Sequence, residues 1–227
     1  MARVLPAVLP ALRDVRAVLL DMDGTLVDSD AVVERAWRSW AQEQGIEAAS
    51  VLAVAHGRPP AATVGQVAPW LSPADARRAT ARHAELEEGD ATLTPALPGA
   101  HRLLAELRRL GLPWAVVTGA GTRLARTRLR AAGIDPPLLI SLDDVPAGKP
   151  APDGFLLAAA RLGVEPRGCL VVEDSVPGVE AGRRAGALVA ALRGLPADLG
   201  IADLGIADLG ELAELLRLAR PGAGAAR

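Results

Sequence analysis

Five short apolar runs punctuate the chain, each bounded by turn-forming or charged residues: 15–20 (VRAVLL), 114–118 (WAVVT), 138–141 (LLIS), 169–172 (CLVV) and 187–192 (ALVAAL). Runs this short and this apolar suit strands buried on both faces of a parallel sheet. Between them, stretches rich in Ala, Leu and Arg predict helices over 99–110, 122–132, 152–162 and 176–185. Gly111, Gly133, Gly163 and Gly186 each follow one of these, where the glycine that ends a helix belongs. Strand–helix alternation of this kind predicts an α/β protein with a doubly wound, Rossmann-like parallel sheet.

The rhythm breaks between Val33 and Pro95. That segment holds helix-like stretches at 33–44, 48–55 and 73–88 and no convincing buried strand. It predicts a small inserted α-helical cap domain (33–96) between the two parts of an α/β core (1–32 and 97–227). Such an insertion could close over the carboxyl edge of the sheet. The apolar stretch 1–12 is broken by Pro6 and Pro10 and no small-residue cleavage site follows, so a short extension on a cytoplasmic protein is expected. ADLG recurs at Ala197, Ala202 and Ala207. Five residues are too few for a stacking unit, so a glycine-punctuated loop and an edge strand are expected, followed by a frayed PGAGAAR tail.

Composition narrows the function. The 227 residues are 50% hydrophobic with a formal net charge of −2, which fits a globular protein and no nucleic-acid partner. No apolar run is long enough to cross a bilayer, so no membrane partner is expected. A single cysteine, Cys169, excludes an internal disulfide framework and a cysteine-rich zinc site. Among the 25 basic residues, Lys149 is the lone lysine in an otherwise all-arginine set. Either one lysine persisted by chance, or that position needs a compact ammonium where a planar guanidinium will not serve.

The chemistry-bearing residues fall directly after the predicted strands, where an open α/β sheet places its site. The first strand runs into Asp21-Met22-Asp23-Gly24-Thr25. Two carboxylates at i and i+2 on extended backbone point the same way, and they repel unless a cation joins them. Oxygen-only ligands beside a substrate phosphate suit magnesium. Thr118-Gly119 after the second strand offers a hydroxyl and close-approach backbone N–H groups, either for phosphate oxygens or as ordinary turn chemistry. Gly148-Lys149-Pro150 carries the lone ammonium, which beside a phosphoryl group would offset charge developing in transfer. Glu173-Asp174-Ser175, with Gly178 beyond, closes a wholly apolar strand. Charges there are costly to bury unless a metal or partner meets them.

Taken in chain order, DMDGT, VVTG, GKP and VVEDS resemble the four motifs of the haloacid dehalogenase superfamily. VERAW, AHGRPP, LPGA and GKPAPD look most like its sugar- and polyol-phosphate phosphatases, which carry a small helical cap. The resemblance implies Asp21 as the nucleophile that forms an aspartyl phosphate and Asp23 as general acid, then base. It implies Mg2+ held by the Asp21 carboxylate, the Asp23 backbone carbonyl and Asp174, with Glu173 nearby. It gives Thr118, Gly119 and Lys149 to the phosphate. The second motif in this superfamily usually continues with Ser or Asn, so Gly119 keeps a backbone donor and loses a side-chain contact. The second acid, Asp23, disfavours a dehalogenase, which has no alkoxide to protonate.

The reaction this implies is release of phosphate from a small phosphorylated sugar, polyol or related metabolite, by a monomer or weak homo-oligomer. Sugar-phosphate mutases of the superfamily carry a cap His where Val33 stands here and a cap Arg where Pro60 stands, and both changes favour release to water. A different class, a catalytically silent metabolite-binding protein on the same scaffold, would normally lack an acid or the lysine, and none is missing. For substrate choice the cap loop offers His56 and Arg58, which could reach substrate hydroxyls or a second anion, or could simply be solvated. Trp37 and Trp40, three apart, suit the cap's own core. His83 and His101 are expected on exposed helix faces, and Cys169 as an inert buried residue.

Overall fold

A computed structural model describes residues 5–55, 58–192 and 202–221. Six strands form one sheet: β1 (Ala17–Leu20), β2 (Trp114–Val117), β3 (Leu139–Ile140), β4 (Cys169–Glu173), β5 (Leu188–Leu192) and β6 (Leu204–Ile206). Their order is β3-β2-β1-β4-β5-β6 and every pairing is parallel. All five runs picked out by their apolar character are strands, and β6 is the expected edge strand.

Side chains alternate across the pleat. Val18, Leu20, Val116, Leu170, Val172, Ala190 and Leu192 face one layer of helices. That layer contains α1 (Leu5–Asp14), α6 (Ala100–Arg109), α7 (Thr122–Ala131) and α10 (Leu209–Ala219). Ala17, Leu19, Ala115, Val117, Cys169, Val171, Val189 and Ala191 face the other, made by α8 (Asp153–Leu162) and α9 (Val176–Arg184). The glycines expected to end helices have left-handed backbone, with φ between 64° and 79°. The chain turns back on itself beside β1, so the crevice between β1 and β4 is the switch point where such sheets place ligands.

The insertion contains α2 (Asp30–Gln44), α3 (Ala48–Ala55), α4 (Pro60–Val67) and α5 (Pro73–Asp90). These helices enclose their own apolar cluster, built on Trp37, Trp40, Ala41, Val51 and Val64. Trp37 and Trp40 meet edge to face at 5.4 Å, and Trp40 Nε1 donates to Ala79 O at 2.8 Å. Both are therefore core residues, as their spacing indicates. Trp40→Ala is expected to cost about 3–5 kcal/mol. Thermal unfolding followed by circular dichroism measures this, and a loss below about 1 kcal/mol would mean that the insertion is not held by this cluster.

Four features differ from the sequence expectations. From Leu5 onward the N-terminal stretch is helix α1, whose Leu12 is wholly buried. Arg13 Nε donates to Ala219 O at 3.1 Å and Arg220 donates to Arg13 O at 3.0 Å, tying α1 to the end of α10. Helix α4 begins at Pro60 after Pro59, with proline at its first turn where no N–H is needed. The third ADLG opens α10, because Asp208 Oδ1 accepts from Glu211 N at 2.8 Å and caps the helix. His83 is buried, not exposed. Helix α5 has few apolar residues, so its inward face, through Ala79 and His83, is poorly marked in the sequence. His101 is exposed and Cys169 is buried, as expected. The first ADLG, His56 and most of the tail lie outside the described residues.

Candidate active site

Strand register brings the motifs to one edge. Leu20 lies opposite Val116 on one side and Val172 on the other. The next residues, Asp21 and Glu173, therefore emerge abreast, and Thr118 stands one residue beyond the end of β2. Asp21 N donates to Val172 O at 3.0 Å, so the first strand's ladder reaches the acid itself. The backbone then turns sharply, with Leu26 N and Val27 N both donating to Met22 O at 2.8 and 3.0 Å. Gly24 makes this turn at φ 77°, and a Cβ there would fall on the Asp174 carboxylate. Glycine is required twice over, by conformation and by space.

Lys149 is the centre of the cluster. Its ammonium donates to Asp21 Oδ1 and, at 3.1 Å, to Val117 O, and it pairs with Glu173 Oε1 at 2.5 Å. It also stands 5.4 Å over the Phe155 ring. Glu173 is fully buried, and its Oε2 accepts from Ser175 N and Oγ at 3.3 and 3.0 Å. A Cβ on Gly178 would overlap that carboxylate, so the glycine leaves room for the acid. Asp174 Oδ1 accepts from Thr25 Oγ1 at 3.3 Å. On the other flank, Thr118 Oγ1 accepts from Ala120 N at 3.1 Å, which leaves the hydroxyl proton free to donate. Gly119 is exposed beside it.

Three acids share one cation here, and the electrostatics follow. Burial, then the Glu173 charge, push the Asp21 carboxyl well above the usual range, with Lys149 opposing. Burial and Glu173 raise Asp174 to about 6. Burial would lower the Lys149 ammonium, yet Asp21 and Glu173 hold it above its ordinary value. Carboxyl oxygens of Asp21, Glu173 and Asp174 lie within 4.8 Å of one another. Hard oxygen donors, closely spaced and short of positive charge, fit a divalent cation.

Asp23 carries a different environment. Its side chain is 30% exposed and meets Arg128 of α7, Nη1 to Oδ1, at 3.0 Å. The buried Arg128 also reaches Glu87 Oε1 of α5 at 3.4 Å. Neither partner was singled out in the sequence. The available signal was an arginine inside the apolar stripe of α7, four residues after Leu124 and beside Leu129. Arg58 is exposed and hydrogen-bonds Gln66 within the insertion. Val33 is half-buried against the insertion's apolar cluster, and Pro60 begins α4.

Comparison with known proteins follows the same motifs. A family model described as haloacid dehalogenase-like hydrolase matches residues 15–186. Hexitol phosphatase A of Escherichia coli is 40% identical over 184 residues, covering 81% of this chain and 85% of that protein. A fructose-1-phosphate phosphatase of the same organism is 32% identical over 179 residues, 74% of this chain and 92% of that one. The crystal structure of a hydrolase from Pseudomonas syringae superposes with a TM-score of 0.76 at 28% identity, covering 89% of this chain and 97% of that one. Among the described residues no helix is long and apolar enough to cross a membrane. With a matched span that runs from β1 past β4, and a relative this similar along most of both lengths, the chain belongs to the haloacid dehalogenase-like hydrolases.

Proposed function

We propose that this chain is a Mg2+-dependent phosphatase that hydrolyses a small phosphorylated sugar or polyol, with residues 33–96 acting as a cap over the core. Its chemistry is hydrolysis of a phosphate monoester, as in the phosphatases it resembles. The observation that carries the assignment is the convergence of Asp21, Lys149, Glu173 and Asp174 at the end of β1 and β4. A reaction with a dense anionic substrate accounts for a carboxylate nucleophile, an ammonium and a cation-demanding acid cluster within one crevice.

In the first step an Asp21 oxygen attacks phosphorus and the P–O bond to the substrate breaks. The departing alkoxide takes the proton of Asp23. In the second step water attacks the aspartyl phosphate while Asp23 removes its proton, and inorganic phosphate leaves with Asp21 restored. Lys149 holds Asp21 in place and offsets charge on the transferring oxygens, which Thr118 Oγ1 and the Gly119 N–H bind. The Asp21 and Asp174 carboxylates, with the Asp23 carbonyl, would hold the metal ion, and Glu173 stands beside them. Bound there, the ion would lessen repulsion between the anionic nucleophile and the phosphate dianion. The oxygen donor set and the raised Asp21 and Asp174 carboxyls support Mg2+ in this role. A cytoplasmic enzyme fits the lone buried thiol; a monomer or weak homo-oligomer is the accompanying proposal.

The test is phosphate release from hexose, pentose, polyol, glycerol, glycolate and nucleotide monophosphates, with Mg2+ and with chelator. Mg2+-dependent release that peaks on a few sugars or polyols is expected. Interconversion of isomers without net release would assign a mutase, and binding without turnover would assign a silent scaffold.

Metal binding should also depend on pH in a definite sense. Asp174 is raised to about 6 from 3.8. The folded state therefore holds this proton more tightly than the unfolded chain, and metal-free stability falls as pH rises from about 4 to 6. Protons and metal compete for the same oxygens. Saturating Mg2+ at 100 times its Kd should stabilise the fold by about 2.7 kcal/mol where the acids are ionised. The rise in Tm should be larger at pH 7.5 than at pH 5. An equal shift at both values would remove these carboxylates as ligands.

A further inference from the structure

Arg128 is the least expected residue near the site. Its guanidinium is buried, and its Nε has no hydrogen-bond partner among the described residues. Helix α7 is already anchored by Leu124, Ala125 and Leu129. A leucine at 128 would serve packing as well without the cost of desolvating a charge. What the arginine adds is its fork: Nη1 takes Asp23 of the core at 3.0 Å and Nη2 takes Glu87 of the insertion at 3.4 Å. A planar guanidinium fixes the angle between two such partners, which a lysine cannot do.

The insertion side of this bridge is also packed. Glu87 is largely buried. Its neighbour one turn back, His83, lies 3.9 Å away and stacks on Trp37 at 3.6 Å. Burial and the Arg128 charge lower His83 to about 4, so it is neutral and offers Glu87 no ion pair near neutral pH. A second tie between insertion and core, Arg123–Glu88, leaves its arginine largely exposed and touches no residue of the acid cluster.

We propose that Arg128 is a positioning residue, which aims the Asp23 carboxylate at the leaving oxygen and takes its own place from Glu87, so that proton transfer depends on how the inserted helices are seated. The proposal rests on Asp23 being the general acid and base. One charged fork thereby makes the catalytic acid answer to a helix 64 residues further along the chain.

The test compares a sugar or polyol phosphate, whose alkoxide needs a proton, with 4-nitrophenyl phosphate, whose phenolate leaves without one. Wild type, Arg128→Lys, Arg128→Gln, Glu87→Gln and Asp23→Asn are assayed with Mg2+. In Arg128→Gln the kcat/KM, which reports phosphoryl transfer and not the hydrolysis shared by both esters, should fall about tenfold more for the alkyl ester than for the aryl ester. Arg128→Lys should recover part of that ratio, and Glu87→Gln should shift it in the same sense. Equal losses of kcat/KM on both esters would make Arg128 merely structural and overturn the proposal. Should Arg128→Gln not fold, an unchanged ratio in both Arg128→Lys and Glu87→Gln overturns it equally. Asp23→Asn separates the two levels: if it keeps wild-type alkyl hydrolysis, the role of Asp23 fails. If it loses that activity while every Arg128 and Glu87 variant keeps the wild-type ratio, only the positioning role fails.

Discussion

Asp21→Asn should abolish turnover and, without metal, make the protein more stable. The amide keeps an oxygen for the Lys149 ammonium, so the local hydrogen bond survives. It cannot attack phosphorus, and a loss of ~10⁴-fold or more in kcat is the scale for removing a covalent nucleophile. The stability gain follows from the electrostatics. Asp21 is buried beside Glu173 and Asp174 with one ammonium among the three, and its charged form is disfavoured there. Deleting that charge relieves repulsion, and a rise in Tm of about 2–4 °C would correspond to ~1 kcal/mol in a chain of this size. Phosphate release and thermal unfolding on the same sample give both numbers. Retained turnover would remove Asp21 as nucleophile, and a lower Tm would mean that the cluster is not self-repelling.

Lys149→Met should move both quantities downward. The methionine keeps an apolar stem against Phe155 but leaves Asp21 and Glu173 without their shared cation. Breaking a buried charge cluster by removing one sign is expected to cost about 3–5 kcal/mol, less whatever the acids recover by taking up protons. The deficit should therefore shrink on acidification toward pH 5, where Asp174, raised to about 6, becomes protonated. The kcat should fall by ~10²–10³-fold, the scale for losing one preorganised stabiliser of transition-state charge. Urea unfolding at pH 7.5 and pH 5, with steady-state kinetics, tests the pair of effects. A destabilisation independent of pH would point to lost packing in place of lost charge.

Much of this site was legible because strand ends are legible. Asp21, Thr118 and Glu173 each stand at the end of an apolar run that suits a buried strand, and parallel register does the rest. The missing parts share a physical cause: they depend on pairings between distant segments, which local pattern does not encode. Arg128 looks like one more arginine in TRLARTRLRA until Asp23 and Glu87 are seen to meet it. His83 sits on a helix whose apolar face is too sparse to orient it. The two described copies of ADLG make the point most plainly. Asp203 Oδ2 accepts from Val189 N at 2.9 Å beside the edge strand β6, whereas Asp208 caps α10. The same four residues serve a strand and a helix because their neighbours differ, β5 in one case and the start of an amphipathic run in the other.

The solitary lysine has a further consequence, for chemical labelling. An amine-directed reagent finds a single ε-amino group among 227 residues, and that group sits inside the acid cluster. Held as an ammonium between two carboxylates, it is a poor nucleophile, and it gains reactivity only when that clamp loosens. Acylation of this one side chain thus acts as an internal reporter, its rate registering whether the crevice is intact, occupied or disturbed without any engineered tag.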